Sequence, residues 1–205
     1  MFLDTNVLWP VNLADLLLST AEAGFFDLCT SDDLVEETER VLVEYKGLPQ
    51  EKAATFASQV RELAEQHVPR SRYLALAGRL TGPDPVDLLH LAAAIEAGAD
   101  YVVTNNKRDF VNAVVPAEMA LPTIVTPDEF MMIFIDDGLD IDLVSTVQRM
   151  ADRRRRPPMT IDEVIDLIER DGLTRTSDAL RRVVGDTDPG VRPEIAGLIN
   201  DEDDG

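Results

Sequence analysis

Residues 86–110 read VDLLHLAAAIEAGADYVVTNNKRDF, and the order of patterns within them decides the fold class. From Leu88 to Ile95 there is no acid, lysine or arginine, so the spacing predicts a helix buried for most of its length. Gly98 supplies the usual left-handed C-terminal cap. The strand YVVT (residues 101–104) follows at once, and its end releases a polar run in which Thr104, Asn106 and Asp109 share one sheet edge. A helix feeding directly into a short apolar strand indicates an α/β layer fold with a mostly parallel central sheet flanked by helices.

Working outward, FLD (residues 2–4) is another short strand. Leu13, Leu16, Leu17 and Ala21 then recur at helical spacing until Gly24. Ser31 is placed to cap a helix whose Leu34, Thr38, Val41 and Tyr45 share a face and which ends near Gly47. A third helix starts behind Pro49, with Ala53, Phe56, Val60 and Leu63 inward, and a fourth covers 72–80. Four helical stretches, and then the buried helix that ends at Gly98, are therefore expected between the strand at residue 2 and the strand at residue 101. On the other side, TIVT (residues 123–126) is a last strand, and Pro127 opens a helix. Composition shifts near Met131, so the expected organisation is a domain over 1–130, a helical extension over 131–185 and an acidic, disordered tail over 186–205. Thr160 and Glu163 have capping-box spacing, and a final helix is expected over 177–184.

The net charge is −20, from 39 acids against 19 Lys and Arg, which argues against broad, non-specific adhesion to nucleic acid. Local basic faces remain open: Arg153, Arg154, Arg155 and Arg156 are the densest positive run, and Asp201–Asp204 the matching acidic one. One cysteine, Cys29, excludes an internal disulfide and reads as a small core residue in a reducing compartment. No apolar run is long enough for a membrane helix, and Asp4 interrupts the N-terminal stretch where an export signal needs hydrocarbon. A cytoplasmic protein is expected.

Three carboxylates need a reason. Asp4 stands at the end of the first strand, where parallel sheets collect functional groups, although an aspartate there could simply cap the next helix. Glu37 lies on or beside the inward stripe of its helix, a poor place for an unpaired charge. Asp87 is in the first turn of the buried helix, where the helix dipole favours an acid, and Asp84 competes with it as the N-cap. With Thr104, Asn106 and Asp109 at a neighbouring strand end, two strands and two helices present oxygen atoms. Two carboxylates about 5 Å apart repel by about 3 kcal/mol at an effective dielectric near 20. A converged cluster would raise its pKa values or hold a hard cation such as Mg²⁺ or Mn²⁺.

Other chemistries lack their residues. There is no phosphate-binding G-x-x-x-x-G-K-[ST] or G-x-G-x-x-G. His67 and His90 do not pair with Cys29 at zinc spacing. His67 reads as a residue at a helix end. His90, one turn after Asp87, could hydrogen-bond near the acids, but a core or rim histidine is the simpler reading.

The ordered set FLDTNVL, SDDLVEETERVL, DPVDLLHLAAAIEAGADYVVT and TNNKRDF resembles PIN-domain ribonucleases of the VapC toxin type. The resemblance spans roughly residues 1–130, and PPMTIDEVIDLIERDGL resembles the helical C-terminal extension of one subset. It implies a PIN-like three-layer fold and a Mg²⁺- or Mn²⁺-dependent endoribonuclease restrained by a cognate antitoxin, with homodimerisation and a structured transfer or ribosomal RNA as substrate. Asp4, Glu37 and Asp87 match the family's acidic positions, and Thr5, Asn6 and Thr104 its supporting polar ones. Asn106 stands where many members carry aspartate, with Asp109 as substitute or supporting acid. The implied chemistry is hydrolysis of a phosphodiester by water activated at an ion held by Asp4 and Asp87, leaving 5′-phosphate and 3′-hydroxyl ends. Lys107, Arg108 and Arg153 to Arg156 are candidate contacts to the RNA backbone. Two alternatives compete: a catalytically inactive PIN scaffold, and a DNA-directed structure-specific nuclease or phosphohydrolase using similar carboxylates.

Overall fold

The computed structural model describes residues 1–186. Five short strands, β1 (Phe2–Leu3), β2 (Cys29–Ser31), β3 (Gln66–Val68), β4 (Tyr101–Val103) and β5 (Thr123–Val125), form one sheet in the order β3-β2-β1-β4-β5. Every neighbouring pair is parallel. Phe2 lies opposite both Cys29 and Val102, and Leu3 opposite Val103, so β1 is central. The chain steps outward through β2 and β3, then returns across β1 to β4. That reversal between β1 and β4 opens a crevice at their carboxyl ends, the usual ligand position of such sheets.

Helices cover the sheet: α1 (Thr5–Leu8), α2 (Val11–Glu22), α3 (Asp32–Glu44), α4 (Gln50–Leu63), α5 (Arg70–Ala77), α6 (Pro85–Glu96) and the short α7 (Lys107–Val111). In α6 the run Leu91 to Ala94 is buried on every side, and Gly98 takes φ 65° at its end, as the apolar run and glycine predict. Ser31 caps α3 by accepting from the Leu34 backbone N–H at 3.3 Å. In α3 the buried side chains are Leu34, Thr38 and Leu42, whereas Tyr45 is 72% exposed. The expected stripe through Val41 and Tyr45 thus follows the wrong side of the helix at its C-terminal end.

Four further helices complete the described chain: α8 (Pro127–Asp136), α9 (Asp140–Arg153), α10 (Ile161–Arg170) and α11 (Thr174–Asp186). Thr126 with Glu129, and Thr160 with Glu163, form complete capping boxes at α8 and α10. Phe130 and Phe134 of α8 pack edge-on against Phe26 and Phe25 (ring centroids 5.2 and 5.3 Å apart), while α9 and α10 pack on α2. Val164, Ile165 and Ile168 join Leu13, Leu16 and Leu17 in a single apolar cluster, so these helices share the core of the sheet domain. Asp128 in the first turn of α8 also accepts from the Thr176 backbone N–H (2.9 Å) and hydroxyl (2.8 Å), tying the start of α11 to α8.

The structure corrects the expectation of an unbroken helical stretch between the first two strands. β2 and β3 are three residues each and carry polar side chains, so they lack the apolar run that marks an interior parallel strand. Neighbouring chains stabilise them instead: Thr30 of β2 is fully buried and its hydroxyl meets His67 Nδ1 at 3.0 Å. His67 therefore lies on edge strand β3, where its Nε2 meets Asp32 Oδ1 at 2.8 Å, and does not end a helix. The final helix begins at Thr174, three residues before the expected start. The expectation of a disordered tail, including Asp201–Asp204, falls from residue 187 onward outside the described residues.

Candidate metal centre

Asp4 follows β1 and occupies the N-cap position of α1, yet its side chain makes no capping bond. The carboxylate turns into the crevice instead and is only 3% exposed. Its Oδ2 accepts from the Thr104 hydroxyl at 2.7 Å and from the Asn6 amide, while Oδ1 lies 3.1 Å from His90 Nδ1. The backbone aims it: Asp4 N donates to Val103 O at 3.0 Å, which draws the end of β1 to the end of β4. Asn6 also donates to Thr104 Oγ1 (2.9 Å) and accepts from the Asn105 backbone N–H (2.9 Å), so the polar residues after the two strands brace one another.

Asp84 caps α6 through Val86 N at 2.8 Å, which leaves Asp87 free of that duty. Asp87 Oδ2 is buried and, among the described residues, has no hydrogen-bond partner. Burial first, then the charges of Asp4 and Asp84, push the Asp87 carboxyl up to about 7. One ligand atom each from Asp4, Asp87 and His90 lies within 4.8 Å of the others. A buried carboxylate oxygen without a donor, beside a second acid, fits a cation: a bound divalent ion would supply the missing partner.

Glu37 enters from α3. Its Oε2 takes the Thr5 hydroxyl at 3.2 Å and lies 3.1 Å from His90 Nε2, at an angle that makes no hydrogen bond; Arg40 approaches its other oxygen at 3.5 Å. Burial pushes Glu37 up, but His90, Thr5 and Arg40 together hold it below the ordinary glutamate value. His90 itself is 1% exposed; burial pushes it down, and Asp4 and Glu37 on either side lift it to about 9. The acids thus reach the crevice in two groups, Asp4 with Asp87, and Glu37 linked to them through His90.

Asp109, on α7, accepts from the Asn106 amide, and its charge is among those raising Asp87. It lies on the same rim, outside the group of three. Thr104 Oγ1 accepts from the Asn106 backbone N–H at 2.9 Å, so Asn106 contributes its main chain to the bracing network.

The basic residues are differently placed. Lys107 Nζ is held by both oxygens of Glu129, at 2.7 and 3.0 Å. Arg153 meets Asp15, Glu22 and Ser19, and Arg154 meets Asn12 and Asp15, so both fasten the end of α9 to α2. Arg108, Arg155 and Arg156 are exposed.

The residue of this candidate centre that sequence reasoning undervalued is His90. Its signal was the i,i+3 spacing from Asp87, which puts both on one helix face, but the same face carries the apolar core.

Two family models match the chain. The PIN domain matches residues 1–108, and the VapC50 C-terminal domain matches residues 127–182. No curated protein matches it. The chain belongs to the PIN-domain family. Within that family it is a VapC-type PIN toxin with a C-terminal extension, and this membership points to nuclease chemistry. No helix among the described residues is long and apolar enough to cross a membrane.

Proposed function

We propose that the protein is a divalent-metal-dependent endoribonuclease, the toxin of a toxin–antitoxin pair, that cuts structured cellular RNA in the cytoplasm. The observation that carries this reading is the Asp87 carboxylate, with a ligand atom within 4.8 Å of one from Asp4 and one buried oxygen that lacks any donor among the described residues.

Asp4 and Asp87 would hold the ion. With Mg²⁺ or Mn²⁺ bound there, charge on the scissile phosphate would be neutralised and a water would be a better nucleophile at neutral pH. The chain's own residues do the rest. Thr104 and Asn6 fix the Asp4 carboxylate by hydrogen bonds. Glu37, held ionised and partly open to solvent, orients the attacking water and accepts its proton, with Asp109 as a further acid on the rim. Arg108, Arg155 and Arg156 are exposed and open to phosphates. The partner proteins are a cognate antitoxin and a second copy of the chain.

RNA-end mapping after induced expression tests the reading. Wild type is expected to create new 5′-phosphate ends at defined sites in structured RNA, and Asp4→Asn to create none. Equal cleavage by Asp4→Asn, or cleavage of DNA oligonucleotides in preference to RNA, contradicts it.

A further inference from the structure

We infer that His90 is a positioning residue of this centre, a buried strap between the carboxylates of Asp4 and Glu37 that fixes which lone pair Asp4 offers to the ion. The inference rests on the metal-dependent reading above.

A carboxylate has about four acceptor sites. On Asp4 the Thr104 hydroxyl and the Asn6 amide take two of them at Oδ2, and His90 Nδ1 lies at hydrogen-bond distance, 3.1 Å, from Oδ1. One site remains, on the oxygen that His90 holds. Without His90 the Oδ1 side would be free to present either lone pair, or to rotate about the Thr104 contact.

His90 is built for a fixed role. It projects from α6, the helix that also carries Asp87 one turn earlier, and its ring lies 6.1 Å from that of Phe2 at a tilted angle. At 1% exposure it has no route to solvent. Its Nε2 lies 3.1 Å from Glu37 Oε2, an ion-pair contact without a hydrogen bond, while Nδ1 is hydrogen-bonded to Asp4, so both ring nitrogens already face acids. Acting as a metal ligand would require the ring to release one of them. Acting as a strap requires no movement, and it lets one side chain set the spacing of acids from β1 and α3 relative to the acid on its own helix. Residues that hold a ligating carboxylate in this way typically change metal affinity when removed, although they never touch the ion.

The test uses the full chain, with Mn²⁺ as the probe, calorimetric titration as the readout, and the thermal midpoint and circular dichroism as checks on folding. Asn can place an amide donor near the position of Nδ1, whereas Phe fills the space without a donor. His90→Phe is expected to weaken Mn²⁺ binding by about 10- to 100-fold, and His90→Asn to stay within about threefold of wild type. Loss of Mn²⁺ affinity in His90→Phe at an unchanged thermal midpoint, with rescue by His90→Asn, is what a purely structural role would not give; electron spin-echo modulation on Mn²⁺-loaded wild type is expected to show no directly bound imidazole nitrogen, which separates positioning from direct ligation and does not depend on a variant folding. Binding by His90→Phe within threefold of wild type, equal losses in both variants, or a directly coordinated nitrogen would each overturn the inference and leave the metal-dependent reading standing. Failure of the wild type itself to bind Mn²⁺ removes that reading, and this inference with it.

Discussion

The Thr104 hydroxyl donates to Asp4 Oδ2 across 2.7 Å, joining residues 100 positions apart at the ends of two adjacent strands. Both side chains are buried, and the same oxygen of Thr104 accepts from Asn6 and from the Asn106 backbone. Thr104→Val keeps the shape and removes the hydroxyl. A hydrogen bond to a charged group contributes about 1.5 to 3 kcal/mol, so chemical denaturation of the metal-free protein should show a loss of that order. Thr104→Ser should recover most of it. Equal stability of Thr104→Val and wild type would mean that the strand ends do not depend on this contact.

Asp87 gives the opposite sign. Its carboxyl is raised from 3.8 to about 7, so the folded chain binds that proton more tightly than the unfolded one. Its contribution is fully present below pH 3.8 and is lost as pH rises towards 7; above that the charged group is a net cost. With solvent screening allowed for, Asp87→Asn should stabilise the metal-free protein by about 1 to 2 kcal/mol at pH 8, and by less at pH 5. It should also abolish any rise in melting temperature caused by Mn²⁺. Urea unfolding in the presence of a chelator reads the first effect, and a lower midpoint for the variant at pH 8 contradicts it.

Asp33 is braced by Tyr73, which donates to it and accepts from its backbone N–H at 3.2 Å, and by a two-pronged contact from Arg70. Burial pushes the Asp33 carboxyl up, and the Arg70 and Tyr73 hydrogen bonds outweigh that and bring it below 3.8. The stabilisation is therefore present above pH 3.8 and fades as pH falls below it. Tyr73→Phe should cost about 1 to 3 kcal/mol at pH 7, with a gap from wild type that narrows in acid. A gap that is constant down to pH 3 would separate Tyr73 from the Asp33 charge.

The arginine run should divide in two. Arg153→Ala with Arg154→Ala removes the ties to Asp15, Asn12 and Glu22, and should lower the melting temperature. Arg155→Ala with Arg156→Ala should leave it unchanged. If those two exposed residues each neutralise one phosphate, the double variant flattens the salt dependence of RNA binding by about 0.7 to 0.9 per contact. An unchanged slope assigns them to another role.

These outcomes follow features that were unevenly legible in the sequence. Gly98, the alanine-rich α6 and the strand YVVT are local signals, and they mark the helix and β4 before any contact is known. Asp4 stood out because it closes an apolar strand at the end where parallel sheets collect functional groups. His90 did not, because its partners Asp4 and Glu37 lie on other elements and a histidine among leucines and alanines looks like core. β2 and β3 were hidden for a similar reason: Cys29–Ser31 and Gln66–Val68 are too short and too polar to show a period, and the sheet itself makes them strands. The arginine run misleads locally too, since nothing beside Arg153 reveals that Asp15 waits on another helix.

The proposed activity requires Asp4 and Asp87 to share one divalent ion. Anomalous diffraction from crystals grown with Mn²⁺ measures this directly. A peak is expected about 2.0 to 2.3 Å from one oxygen of each residue. Crystals saturated with Mn²⁺ that show no peak between Asp4 and Asp87, or a peak held only by other residues, would contradict it.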